Sequence, residues 1–85
     1  MDLCVVTTFD CSFQQFKEMV DSFEDELSKC LHEWEIAKID DHKAVALFKV
    51  ADMEAFQGLF STPKAVDFHS KHNLVDTFYS LGKLP

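Results

Sequence analysis

The stretch WEIAKIDDHKAVALFKV, Trp34–Val50, decides the fold of this chain because it contains two strands and the turn between them. Apolar and polar side chains alternate over residues 34–39, which is typical of a strand with one buried face. The polar run DDHK, 40–43, predicts a tight turn, and AVALFKV, 44–50, predicts a second strand. Two short strands joined in this way indicate an antiparallel β-hairpin.

A strand and a helix precede the hairpin. LCVVTTF, 3–9, is short and rich in β-branched residues, so it predicts a strand. Ser12 and Gln15 have the spacing of a capping box, which marks a helix start. From there to Cys30, apolar side chains recur in steps of three and four, which predicts one continuous amphipathic helix that packs by a single face. This apolar stripe consists of Phe13, Phe16, Val20, Phe23, Leu27 and Cys30.

A second helical region and a last strand follow the hairpin. Asp52 predicts a helix N-cap, and Thr62 followed by Pro63 predicts that the helix restarts there. The expected inner face holds Met53, Phe56, Leu59 and Phe60. The helix should end at Asn73, a residue that favours a left-handed C-terminal cap, and 74–81 should form the last strand. The order β-α-β-β-α-β over 1–85 predicts a single ferredoxin-like α+β domain, with a four-stranded antiparallel sheet and both helical regions on one face.

The sheet face away from the helices is too apolar to be left in water. Residues 44–48 are all apolar, so this strand carries apolar side chains on both faces. The first and last strands do the same: Leu3, Val5 and Phe9 lie opposite Cys4 and Val6, and Val75, Tyr79 and Leu81 lie opposite Leu74 and Phe78. We expect a second copy to cover this face, because symmetric homodimers are the commonest small assemblies. The alternative is a monomer in which Thr8, Lys38, Asp76 and Ser80 make the face polar enough.

Charge and composition argue against two kinds of partner and favour a cytoplasmic location. The net charge is −7 and no Lys/Arg-rich stripe occurs, which argues against nucleic acid and anionic membrane surfaces. The longest apolar run is too short to span a bilayer, and the first residues lack a signal-peptide pattern. We therefore expect a cytoplasmic protein. The three cysteines, an odd number without a C-x-x-C motif, are expected to be reduced and mostly buried.

The segment ADMEAFQGLFSTPKAVDFHSKHNLVDTFYSLGKL, Ala51–Leu84, combines an acidic cap, aromatic helix positions, a Ser-Thr-Pro restart and a strand ending in Ser-Leu-x-x-Leu. With the rest of the chain it resembles the dimeric α+β barrel group of ferredoxin-like proteins, in which two sheets pack face to face. Relatives of this type include cofactor-free monooxygenases, isomerases, lyases, haem-degrading enzymes and stress-responsive barrel proteins. No motif ties this chain to one enzymatic branch, so the resemblance carries over no catalytic residues.

Two histidines near the end of the last helix, His69 and His72, are the first candidates for a site. Two ligands are too few for a metal unless Asp76 or His42 completes them, and we predict no bound metal. Either histidine could act as a general base near neutral pH, with Tyr79 donating a hydrogen bond to a developing oxyanion. Alternatively, imidazoles in the last turn are simply favoured by the negative end of the helix.

The aromatic residues predict a pocket. Nine phenylalanines in 85 residues are more than a small core readily hides, so some should face a cavity or a partner. The expected ligand-binding set is Trp34, Phe48, His69, His72, Phe78 and Tyr79. Trp34 has an alternative role in ordinary packing between helix end and sheet. Glycine-rich phosphate loops are absent, and we predict no cofactor.

These features predict a homodimeric small-molecule-binding protein with a partly apolar, aromatic pocket for an unknown ligand. The resemblance implies an alternative, a cofactor-independent monooxygenase or isomerase acting on a small aromatic or polyketide-like substrate. A third hypothesis is a non-catalytic structural or interaction module. Such a module would have a filled interior, whereas a binder or an enzyme needs a pocket in which polar groups converge.

Overall fold

The computed structural model describes residues 1–82 and 84 and confirms the predicted ferredoxin-like α+β fold. The strands are β1 (Leu3–Thr8), β2 (Leu31–Asp40), β3 (Lys43–Val50) and β4 (Val75–Ser80), and the helices are α1 (Phe13–Asp21), α2 (Glu24–Cys30), α3 (Met53–Leu59) and α4 (Pro63–His72). The sheet order is β2-β3-β1-β4, and each neighbouring pair is antiparallel. The hairpin β2–β3 therefore forms one side of the sheet, and β4 returns to the other edge beside β1.

The prediction of one continuous helix from Phe13 to Cys30 was wrong, because the chain breaks into α1 and α2 at Ser22 and Phe23. The Ser22 hydroxyl donates to the carbonyl of Met19, and the Phe23 amide donates to Val20 three residues back. Such local bonds compete with the i to i−4 ladder of the α-helix. Three acidic residues at 24–26 then favour a new helix N-terminus.

The predicted helix ends are confirmed. Ser12 and Gln15 form a complete capping box at α1. The side chains of Asp52 and Thr62 accept hydrogen bonds from backbone amides in the first turns of α3 and α4. Asn73 ends α4 in the left-handed conformation, with φ 49° and ψ 46°. These four caps fix where each helix meets the sheet.

The core lies between the helices and one face of the sheet. Its larger cluster contains Val5, Leu27, Cys30, Leu31, Ala46, Phe48 and Phe56. A second cluster contains Phe9, Cys11, Phe16 and Ala44. The apolar stripe of the first helical region thus faces inward through both α1 and α2, despite the break. Met53, expected on the inner face of α3, is 43% exposed instead.

The opposite, helix-free face of the sheet has an apolar centre. The register places Cys4 between Leu47 and Tyr79, and Val6 beside Val45, all on this face. Four of these side chains are half-buried within the chain itself, whereas Tyr79 is 52% exposed. Charged residues of β2 and β3, namely Glu33, Glu35, Lys43 and Lys49, lie around this centre. In the part of the chain that the structure describes, no helix is long and apolar enough to cross a membrane.

Candidate ligand-binding site

A cavity of about 90 Å³ lies between the helices and the inner face of the sheet. Its apolar lining consists of Val5, Phe16, Met19, Val20, Phe23, Leu27, Ile36, Ala46, Phe48, Phe56, Leu59, Phe60, Ala65 and Leu74. Among the described residues, the lining has three polar side chains: Thr7, His69 and Asp76. A volume of roughly 150 Å³ accommodates benzene in an engineered protein cavity, so an aromatic ring here would need some movement of the lining or space beyond it.

The three polar side chains form one hydrogen-bonded chain, which we call the polar triad. The Thr7 hydroxyl donates to Asp76 Oδ1 at 2.7 Å. The other carboxyl oxygen, Oδ2, lies 2.8 Å from His69 Nε2, and His69 Nδ1 lies 2.9 Å from the carbonyl oxygen of Ala65. The Thr7 residue is 3% exposed, while the side chains of Asp76 and His69 are 11% and 28% exposed. The triad is therefore largely removed from water.

The fold brings these residues together through two local features. Thr7 and Asp76 are direct cross-strand partners in the β1–β4 pair, so their side chains project from the same face of the sheet. The left-handed turn at Asn73 ends α4 and sends the chain into β4. Asp76 consequently lies beside His69, only seven residues earlier in the chain.

Every polar hydrogen of the triad already has an acceptor, either within the triad or at the carbonyl oxygen of Ala65. A carbonyl oxygen only accepts, so His69 Nδ1 must carry the hydrogen that points to Ala65. One further proton lies between His69 Nε2 and Asp76 Oδ2, and the Thr7 hydrogen is donated to Asp76. What remains for a ligand is lone pairs on the Asp76 carboxyl and on the Thr7 oxygen.

A groove of about 650 Å³ lies outside the cavity and shares part of its lining. Phe56, Phe60, His69 and Asp76 border both spaces, and we call these four residues the shared wall. The Phe60 ring contacts Phe56, His69 and Phe78 with centroid distances of 5.3, 6.5 and 5.6 Å. Phe60 therefore occupies a central place in the shared wall.

The residues expected to bind ligand are divided between several places. His69 and Phe48 line the cavity, and His69 also borders the groove with Phe78. Trp34 pairs with Phe48 across β2 and β3 and packs at the edge of the larger core cluster, outside the linings of cavity and groove. The ring of His72 packs on Phe68 at a centroid distance of 4.5 Å, again outside both linings.

Tyr79 was expected to share a pocket with His69. It lies instead on the helix-free face of the sheet. Side chains alternate along β4, which places Asp76 and Phe78 inward and Tyr79 outward. Thr7 was missed as a candidate site residue, and Asp76 was considered only as a third metal ligand or as a polar residue of the helix-free face, whereas it lies beside Thr7 at the cavity. The signal was present, because Asp76 has the same parity as Phe78, which was already assigned to the pocket.

The described residues, 1–82 and 84, offer neither a cluster of metal ligands nor an activated thiol among the buried cysteines. No group of three or more His, Cys, Asp or Glu side chains there could hold a metal ion together. His42 lies in the β2–β3 turn, where its Nδ1 is 2.9 Å from the carbonyl oxygen of Cys11. Burial raises the pKa of the Cys11 and Cys30 thiols, and nearby carboxylates raise it further, which keeps both thiols protonated at neutral pH.

Comparison with known proteins supports the fold. No protein-family model and no curated protein matches the sequence. Among solved structures, SnoaB, a cofactor-independent oxygenase from Streptomyces nogalater, is similar with a TM-score of 0.65 and 9% identity over 98% of this chain and 93% of that chain. Rv0793 from Mycobacterium tuberculosis has a TM-score of 0.57 and 10% identity, over 100% of this chain and 97% of that chain. An antibiotic biosynthesis monooxygenase has a TM-score of 0.56 and 10% identity, over 100% of both chains.

Identities this low establish a common fold and nothing finer. By name, one of these three neighbours is a cofactor-independent oxygenase and another is an antibiotic biosynthesis monooxygenase. The resemblance predicted from the sequence is thus confirmed at the level of the fold.

Proposed function

We propose that this chain is a small-molecule-binding protein whose ligand occupies the cavity and contacts the shared wall. The observation that carries the proposal is an apolar cavity in which one cluster of polar groups, the polar triad, converges. Small-molecule sites typically combine an apolar lining with a few placed polar groups. A module that only paired its surfaces would be more stable with a filled interior, since protein cores are normally close-packed.

Titration with toluene, followed through methyl resonances in ¹H–¹³C NMR spectra, tests this proposal. The methyl groups of Val5, Val20 and Leu74 line the cavity and should shift with a common dissociation constant. Val45 and Leu47 lie on the helix-free face and serve as internal controls. Shifts confined to the two control residues, or no shifts up to the solubility limit of toluene, would show that the cavity is not a binding site.

We further propose that the protein is a homodimer paired through its helix-free face. The half-buried residues Cys4, Val6, Val45 and Leu47 form a contiguous apolar centre on that face. Carboxylates and lysines lie around it, which suits a self-complementary interface between two copies. Val75 lies on the edge strand β4, on the same face, and is 59% exposed within one chain. A second copy on this face would remove its apolar side chain from water.

Sedimentation equilibrium over a wide concentration range tests the dimer. Leu47→Glu places a charge in the apolar centre and should give a monomer while the wild type stays dimeric. Val66→Glu is the matched control, because Val66 is 50% exposed on α4, away from the sheet. A wild-type protein that stays monomeric at all concentrations would refute this arrangement.

A second candidate function is cofactor-independent oxygenation of a small aromatic substrate. It is supported by the Asp76 carboxyl at the cavity and by a fold neighbour that is a cofactor-independent oxygenase. Asp76, oriented by His69 and Thr7, would accept the proton of a phenolic hydroxyl. The electron-rich anion then reacts with O₂, so that a phenol with a free ring position and one O₂ give a quinone and one water. Since both His69 nitrogens are hydrogen-bonded, we assign the base to Asp76 and a positioning role to His69.

Oxygen uptake with 1-naphthol as the probe tests this second function. The wild type should consume O₂ faster than buffer alone, and Asp76→Asn should reduce that excess to near zero because an amide is not a base. Asp67→Asn, an exposed position on α4, should leave the rate unchanged. Equal rates for all three proteins would remove the oxygenase function for this substrate class.

We also propose that the protein resides in the cytoplasm. Cys4, Cys11 and Cys30 are free thiols in the structure. Unpaired cysteines are typical of reducing compartments, where disulfides are rare. Fractionation of cells that express the tagged chain would test the location, and recovery with secreted proteins would contradict it.

A further inference from the structure

We infer that the cavity selects neutral apolar ligands that donate a hydrogen bond, such as phenols or indoles, over ligands that only accept one. This inference rests on the proposed function and deepens it by naming the ligand class. Its basis is the accounting of hydrogens in the polar triad, where the hydrogens of Thr7 and His69 and the proton shared with Asp76 are all engaged.

The two residues that keep free lone pairs, Thr7 and Asp76, border the cavity, and Asp76 also borders the groove. An ionised carboxyl group has about four acceptor positions, and two of those on Asp76 are occupied by Thr7 and His69. Both Thr7 and Asp76 line the cavity. Thr7 and Asp76 offer a ligand only acceptor positions whether the shared proton resides on His69 or on Asp76, because this proton lies between the two residues in either state.

The rest of the lining does not supply a donor. Apart from the polar triad, the side chains that line the cavity in the described part of the chain are apolar. Gln57 has an amide that can donate, but it borders only the outer groove. A carbonyl or carboxylate ligand in the cavity would therefore lose its hydrogen bonds with water and gain none, which is costly for a buried polar group.

Phenol and toluene form a suitable pair of probes, because a hydroxyl replaces a methyl group of similar size. In a purely apolar cavity toluene binds more tightly, since it is the more hydrophobic molecule. The donor preference reverses this order, and we expect phenol to bind about tenfold more tightly than toluene through its hydrogen bond to the Asp76 carboxyl. Benzoate should bind more weakly than either.

The wild-type dissociation constants, measured by NMR titration, decide the inference. If toluene binds as well as phenol or better, the donor preference is refuted while the proposed function stands. If neither probe shifts the cavity methyl groups, the proposed function itself fails. Asp76→Asn adds a donor to the triad and should abolish the preference for phenol, whereas the matched surface variant Asp67→Asn should retain it. An unchanged preference in a folded Asp76→Asn variant would also overturn the inference.

Discussion

Two alanines on one strand should respond in opposite directions to the same substitution. Ala44 and Ala46 both lie on the inner face of β3 and are 1% and 7% exposed. Ala46 lines the cavity, whereas Ala44 packs in the second core cluster with Phe9 and Phe16 and lies outside the cavity lining. We expect Ala46→Val to stabilise the protein and Ala44→Val to destabilise it.

The magnitude follows from the space available. Filling all of the 90 Å³ would gain about 2 kcal/mol at ~24 cal/mol per Å³, which is an upper bound. Two added carbons contribute about 0.8 kcal/mol each when they are fully buried, so Ala46→Val should gain about 1 kcal/mol after imperfect packing. Ala44→Val has no such space and should cost about 1–3 kcal/mol through overpacking.

Urea and thermal unfolding, followed by circular dichroism at equal protein concentration, give both free energies. For a domain of this size, 1 kcal/mol corresponds to about 4–8 °C in Tm. The same Ala46→Val variant should also weaken toluene binding, since its added methyl groups occupy the cavity. If Ala46→Val destabilises the protein as much as Ala44→Val, the space beside Ala46 is not available and the reasoning is refuted.

Further predictions concern the cap of α4 and the cysteines. Asn73→Ala should lower the free energy of unfolding by about 1 kcal/mol relative to Asn73→Gly, because glycine adopts a positive φ without cost. Iodoacetamide at pH 8 should modify half-buried Cys4 first and reach buried Cys11 and Cys30 only as the protein unfolds, as followed by mass spectrometry. The raised pKa values of the two buried thiols mean that the unfolded chain releases these protons first, so the free energy of unfolding should fall as pH rises above the ordinary thiol value of 9.0.

Each of these predictions has a clear contrary result. Both Asn73 variants lose the side-chain contact with Asp10, so equal stability of the two would show that backbone conformation contributes nothing there. Rapid alkylation of all three cysteines in the folded protein would contradict the burial of Cys11 and Cys30. Constant stability in urea titrations from pH 8 to 10 would contradict the raised thiol pKa values.

Local signals in the sequence predicted most of the fold. The hairpin turn, the capping box at Ser12 and the caps at Asp52, Thr62 and Asn73 each depend on a few neighbouring residues, and all were found where expected. The break at Ser22 was missed because the apolar stripe keeps its spacing across it. A short kink does not change the periodicity that predicts a helix.

The site was harder to predict because it depends on pairing between distant segments. Thr7 and Asp76 meet only through the β1–β4 register, which a single strand pattern does not specify. The alternation in β4 was ambiguous as well, since apolar side chains occupy both of its faces. Once the register is known, the inward parity of Asp76 and the outward parity of Tyr79 follow directly.

The division of each helical region into two short helices has a consequence for how a ligand reaches the cavity. The four helices have 7–10 residues, below the length of about 12–15 at which an isolated helix is even marginally stable in water. Each depends on packing contacts with the rest of the domain, and we expect such short helices to detach locally. Hydrogen exchange should therefore be faster for amides of α3 than for those of the central strands β1 and β3. Transient detachment of α3, which carries Phe56, would open the shared wall while the sheet stays intact, so ligand exchange need not wait for global unfolding.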